Sequence, residues 1–189
     1  MLDKLFLILY IYLTSLVSPL IRIAIKQRIK TGKEDADRWR EKLGEPSIAR
    51  PSGKLIWLHA VGLGEVLALR GLILALNNQE KKLNFLVTSS TLLSARVFKI
   101  NCPPNTIHQF LPYDVGVYCK RFLRYWTPDL VVWSEQDLWP GLSSLAAKFG
   151  IKQVLVNGKM REDSFNRRKK IKPLHRIVYQ KFEFISTQD

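Results

Sequence analysis

The chain has 189 residues, a formal net charge of +14, and 47% hydrophobic and 11% aromatic residues. That apolar content excludes a wholly disordered chain, and the length is enough for one cored domain with an appended tail and no covalent staple. Two cysteines without a CxxC pair and three scattered histidines without HExxH spacing argue against a disulfide scaffold and a zinc site, and the acids show no obvious metal-ligand spacing.

The first segment, Leu5 to Ile21, carries no charged residue over 17 positions, at the short edge of the roughly 17–25 residues that a spanning helix needs. Tyr10 and Tyr12 suit a membrane interface. Arg22, Lys26, Arg28, Lys30 and Lys33 follow at once, whereas only Lys4 and the amino group precede. The positive-inside rule then places everything after Ile21 in the cytoplasm. Three readings stand. A cleaved signal peptide fits the apolar run but puts Pro19 and a basic run where a small-residue cleavage site belongs. A core helix of a soluble protein fits the length. The reading adopted is a membrane anchor, spanning or lying in the interface. Arg22 to Glu45 alternates charge and carries Trp39, which predicts a polar helix on the headgroup surface, its bases drawn to anionic lipids by about 1 kcal/mol each. Residues 1–45 are thus read as anchor and basic surface helix.

Pro46, Pro51, Ser52 and Gly53 mark a linker, after which residues 54–189 change pattern. Short apolar runs predict strands at 54–60, 83–88, 107–111, 129–133, 152–156 and 183–186. Helical spacing predicts helices at 65–77, 92–100, 115–125 and 138–149, the last with Gly150 as its stop. A basic helix over 165–181 contains Pro173, which should kink or split it. Strands alternating with helices, the strands apolar throughout, predict an α/β Rossmann-like parallel sheet with helices on both faces.

In such sheets ligands bind beyond the carboxyl ends of the strands. After the first strand comes AVGLGEV, with Gly62, Gly64 and Glu65. The glycines resemble a phosphate loop, but a carboxylate there repels a pyrophosphate, and no GKS/T Walker signature occurs. Glu65 either complements the helix dipole, worth about 0.3–1 kcal/mol, or serves as a general base whose approach the glycines leave open. After the fourth strand comes SEQDLWP, with Glu135, Asp137 and Trp139. Capping explains Asp137 well and Glu135 poorly. In the usual order 3-2-1-4-5 the loops after strands one and four flank the switch point, so Glu65 and Glu135 can face one cleft. Ser89, Ser90 and Thr91 follow the second strand; their hydroxyls bind a sugar or phosphate, or Ser90 or Thr91 caps the next helix. Asn157, Lys159 and Arg161 follow the fifth; the two cations hold a phosphate or are simply solvated.

Taken in order, WLHAVGLGE, VTSSTLLSARV, LPYD, PDLVVWSEQDLWP and LVNGKM, preceded by a short apolar segment, resemble the N-terminal half of 3-deoxy-D-manno-octulosonic acid (Kdo) transferases. The resemblance covers essentially the whole chain. It implies the N-terminal domain of a two-domain GT-B glycosyltransferase that moves Kdo from CMP-Kdo to the lipid A precursor at the cytoplasmic face of the inner membrane, inverting the anomeric centre. It implies Glu65 as the base that deprotonates the acceptor hydroxyl and Glu135 as a second functional carboxylate. Gly64, Ser89, Ser90, Thr91, Asp137, Trp139, Asn157, Lys159 and Arg161 are then expected around the acceptor. No cofactor or metal is expected. The donor CMP-Kdo belongs to a C-terminal domain that this chain does not contain, so a separate donor-binding half is an expected partner, with anionic inner-membrane lipids; nucleic acid is not expected. The family's second acid is Asp137 here, its Asn after Trp-Pro is Gly141, its Pro after the Tyr-Asp pair is Gly116, and its Asn-Ala-Arg-like segment reads Asn157, Gly158, Lys159. A reading from another class is also open: a non-catalytic module, or a remnant, that binds anionic membrane surfaces.

Overall fold

The computed structural model describes residues 2–134, 138–160, 162–169 and 171–188. Six parallel strands form one sheet: β1 (Leu55–His59), β2 (Asn84–Ser89), β3 (Thr106–Phe110), β4 (Leu130–Ser134), β5 (Lys152–Gly158) and β6 (Phe184–Thr187). Their order is β3-β2-β1-β4-β5-β6, so β1 lies between β2 and β4 and the chain reverses its direction of winding there. The predicted order holds, with β6 added beyond β5.

Strand side chains alternate between two cores. Ile56 and Leu58 face Val66, Leu69 and Ile73 of α3 (Leu63–Gln79) and Phe98 of α4 (Leu92–Ile100). Leu55, Trp57, Val131 and Trp133 face α5 (Gly116–Trp126) and α6 (Pro140–Lys148). Trp57 anchors this second core edge-on to Trp133 and tilted to Phe122, with centroids 5.2 and 5.0 Å away. Each such buried aromatic contributes on the order of 2–3 kcal/mol. Gly150, in the left-handed region (φ +76°), follows α6 as predicted. The basic stretch splits into α7 (Glu162–Lys169) and α8 (Lys172–Tyr179), and Pro173 sits in the first turn of α8, where its missing N–H costs nothing.

The polar surface helix predicted over Arg22 to Glu45 does not form as one piece. Helix α1 (Leu2–Leu16) and helix α2 (Ser18–Lys30) meet at a 53° bend, and α2 stops before Gly32, whose φ of +67° no helix continues through. The rest folds against the sheet as a 3₁₀ turn (Trp39–Leu43) with Glu34, Glu41 and Lys42 buried. Arg38 forks onto Glu41 at 2.8 and 2.9 Å, and Glu41 accepts the backbone N–H of Phe110 at 2.7 Å. Arg38 also donates to the His108 carbonyl at 2.9 Å. Gly44 ends the turn at φ +75°, where a Cβ would stand 2.2 Å from the Tyr118 carbonyl oxygen, so only glycine fits.

Among the described residues no single helix is long and apolar enough to cross a membrane; α1 and α2 together pass that test only as a bent pair. One side of α1 is docked on the domain. Tyr10 Oη donates to Asp114 at 2.7 Å, and Ile11 lies over Gly116, where a Cβ would come within 3.1 Å of its Cγ2. The other side leaves Leu5, Ile8, Tyr12 and Leu16 exposed, continued by Leu20 and Ile23 on α2.

Candidate active site

Glu65 is the third residue of α3, in the turn that follows β1. Its Oε2 accepts the backbone N–H groups of Val61 (3.0 Å) and Gly62 (3.2 Å). The carboxylate thus closes back on donors that the helix start leaves unpaired. Gly62 makes room for this: a Cβ there would meet Glu65 Oε1 at 2.8 Å. At Gly64 a Cβ would meet open space, so the turn is uncrowded on that side. Glu65 is half-buried, and its Oε1 accepts no hydrogen bond among the described residues.

The loop after β2 is tied to the loop after β1 by Ser94 Oγ, which donates to the Val61 carbonyl at 3.0 Å. Thr91 caps α4 by accepting the Ser94 N–H at 3.1 Å, the capping role open to it from its position. Ser89 is wholly buried and pairs with His108 Nε2 at 2.9 Å, so its hydroxyl is turned into the fold. Ser90 differs from both neighbours: its Oγ is buried and has no hydrogen-bond partner among the described residues.

Trp139 occupies the N-cap position of α6 without a side-chain capping bond, half-buried, with its indole N–H also unpartnered among the described residues. Glu135, Asp137 and Arg161 lie outside the described residues. Asn157, the penultimate residue of β5, lies in the left-handed region (φ +58°), and its Oδ1 accepts from Gln188 at 2.6 Å; Lys159 follows the strand, exposed. Topology therefore gathers Gly64, Glu65, Ser90, Thr91 and Trp139 in the loops above β1, β2 and β4, at the switch point. Asn157 and Lys159 stand one strand further out, above β5.

Three groups escaped the sequence reading. Asp114 is buried and accepts the N–H groups of Gly141 (2.8 Å) and Leu142 (2.6 Å), so α6 takes its N-terminal carboxylate from the loop after β3. Burial raises its pKa, and the bonds from Tyr10, Gly141 and Leu142 oppose that rise. An acid in LPYD is visible; the helix it caps, 26 residues on, is not. His59 ends β1, fully enclosed, with Nδ1 3.1 Å from the Thr88 carbonyl. Nδ1 also lies 2.9 Å from the Thr88 hydroxyl, and Nε2 is buried with no partner among the described residues. Burial pushes its pKa down to about 4, so the ring is neutral near pH 7. Lys42, read as part of a surface helix, is buried against Glu34 and the Ser90 carbonyl.

The chemistry this permits is specific. A carboxylate with one oxygen fixed by backbone donors and the other open can take a proton without reorganising its surroundings. It stands at the carboxyl end of a parallel sheet, where open α/β folds bind ligands.

Residues 37–189 match the family model described as 3-deoxy-D-manno-octulosonic-acid transferase (kdotransferase). The chain is 38% identical over 180 residues to a probable mitochondrial 3-deoxy-D-manno-octulosonic acid transferase of Arabidopsis thaliana, covering 94% of this chain and 40% of that protein. It is 34% identical over 180 residues to the 3-deoxy-D-manno-octulosonic acid transferase of Rickettsia bellii, covering 95% and 43%. Against the enzyme of the same name from Chlamydia trachomatis the identity is 27% over 155 residues, covering 81% and 36%. The chain thus spans about two fifths of the length of these relatives. With the family model matching most of its length, the chain belongs to the 3-deoxy-D-manno-octulosonic acid (Kdo) transferase family.

Proposed function

We propose that this chain is the acceptor-binding part of an inverting GT-B Kdo transferase in lipopolysaccharide biosynthesis, moving Kdo from CMP-Kdo to the lipid A precursor, lipid IVA. Glu65 takes the proton of the acceptor hydroxyl; that oxygen attacks the anomeric carbon, and CMP leaves with the electrons of the broken bond. CMP-Kdo is held by a donor domain outside these residues. Gly64, Ser90, Thr91 and Trp139 line the cleft and Glu135 and Asp137 act on the acceptor with them, while Asn157, Lys159 and Arg161 hold charged parts of the acceptor. Ser89 supports the loop from within. The enzyme works at the cytoplasmic face of the inner membrane, with the outer side of α1 and α2 in the monolayer.

The observation that carries this reading is Glu65 in a chain of this family: Oε2 is fixed by Val61 and Gly62, and Oε1, packed beside Gly62, accepts no hydrogen bond among the described residues. The exposed apolar side of α1 and the +14 charge support the membrane location. They equally favour a second reading, a membrane-surface module without catalysis. The test is a chimera in which this chain replaces the matching part of the Rickettsia bellii relative. Transfer of Kdo from CMP-Kdo to lipid IVA, abolished by Glu65→Gln, is the expected result. A folded chimera that binds anionic vesicles but transfers nothing selects the second reading.

A further inference from the structure

Two hollows beside the switch point share the walls Tyr113 and Trp139. One, of about 430 Å³, is an apolar groove between the α1–α2 bend and the loop after β3, walled by Leu13, Val17 and Ile21. The other, of about 280 Å³, is polar: Arg28, Lys42, Glu34 and Ser90 line it. Its charges are two cations against one carboxylate. Glu34 is held by Arg28 Nε at 2.8 Å and by Lys42, which also donates to the Ser90 carbonyl at 3.1 Å. The single acid is thus already neutralised within the fold, and one positive charge is left over.

Two residues that line the polar hollow carry unsatisfied donors. Ser90 Oγ and Trp139 Nε1 are buried with no hydrogen-bond partner among the described residues. Buried donors are nearly always paired, and these two stand at the wall of one cationic hollow. Arg28 is half exposed, which leaves the hollow an open, positive side. An anion here meets charge-assisted donors, and an attached chain meets the apolar groove directly across Tyr113 and Trp139.

We propose that the two hollows form one amphiphile site, in which Arg28, Lys42, Ser90 and Trp139 hold a phosphate monoester and the groove against α1 and α2 holds the acyl chain attached to it. The proposal rests on the acceptor-binding reading above and assigns the acceptor's phosphorylated, acylated end to these residues.

The test titrates the full 189-residue chain, in a neutral detergent and with ¹⁵N-indole tryptophan, with dodecyl phosphate. A saturable shift of the Trp139 indole N–H is expected, with the resonance assigned by its loss in Trp139→Phe. Ser90→Ala and Arg28→Gln are each expected to weaken binding roughly 5- to 20-fold. Inorganic phosphate should move the same resonance only at much higher concentration, and dodecyltrimethylammonium should not move it. Three results overturn the site: no saturable Trp139 shift, the same shift with dodecyltrimethylammonium, or undiminished binding in both Ser90→Ala and Arg28→Gln. Inorganic phosphate binding as tightly as dodecyl phosphate overturns the link to the groove. If Trp139→Phe fails to fold, the other two variants carry the test. Kdo transfer by the chimera with no Trp139 shift overturns this site alone; a saturable shift with no transfer overturns the functional reading alone.

Discussion

Glu65 and Asp114 are both carboxylates set at helix N-termini, yet their surroundings make them opposite kinds of residue. Glu65 belongs to the helix it caps, uses one oxygen for two backbone donors, and keeps the other open. Asp114 is lent by a distant loop, buried, and engaged on both oxygens by Tyr10, Gly141 and Leu142. Position at a helix start therefore does not make an acid reactive. What separates a base from a structural clamp is whether an accessible lone pair remains once the backbone is satisfied.

The sharpest way to break the comparison is Glu65→Gln. The amide oxygen still accepts from Val61 and Gly62, so stability should change by less than about 1 kcal/mol. Transfer by the chimera should fall about 10²- to 10⁴-fold. A variant that transfers normally would make Glu65 a clamp as well. The converse is Asp114→Ala, which strands two N–H groups of α6 and the Tyr10 hydroxyl and should cost about 2–4 kcal/mol in urea unfolding. A loss under about 1 kcal/mol would show that α6 does not depend on the borrowed acid.

Acid pH probes two further groups of the same region. Burial pushes the pKa of His59 down to about 4, and burial with the nearby Arg38 guanidinium pushes that of His108 down to about 3. Unfolded, both titrate near pH 6.5. As the pH falls below 6.5 the unfolded chain takes up protons that the folded chain refuses, so stability is full above pH 6.5 and declines toward pH 4. At pH 5 the decline should be about 2 kcal/mol for each histidine, read from urea midpoints at pH 7 and 5. Superimposable curves would show that neither ring is held neutral. The smallest effect is Tyr10→Phe. It removes one bond to Asp114, about 0.5–1.5 kcal/mol, and should speed proteolysis within α1 while leaving the sheet intact. Unchanged proteolysis would show that packing over Gly116 alone holds α1.

The sheet was legible because its strands are continuous apolar runs and its helices end at Gly150 or Thr127-Pro128. Strand and helix edges shifted by a residue or two, as hydrogen-bond registers do not show in composition. Residues 31–45 were misread for a definite reason. Alternating charge is the pattern of a solvated helix, and here Glu34, Glu41 and Lys42 are instead buried against Arg28, Arg38, each other or β3, partners set by tertiary approach. In the site, Glu65 and Thr91 could be placed because local spacing governs helix starts. Asp114, His59 and the Ser90–Lys42 pairing could not, since each depends on a contact across 27 to 48 residues of chain.

The turn that carries Arg38 and Glu41 has a consequence for how the protein meets other chains. A sheet edge is a template for further strands only while its outward N–H and C=O groups are free. On β3 the outward Phe110 N–H is taken by Glu41 and the outward His108 C=O by Arg38, both side chains of a 3₁₀ turn that no strand can displace without unburying an ion pair. Growth of the sheet is therefore directional. A strand added by a neighbouring domain, a second copy or an aggregating chain joins at β6, where Phe184 and Ile185 are exposed, and mutations that loosen Glu41 would open a second front for aggregation.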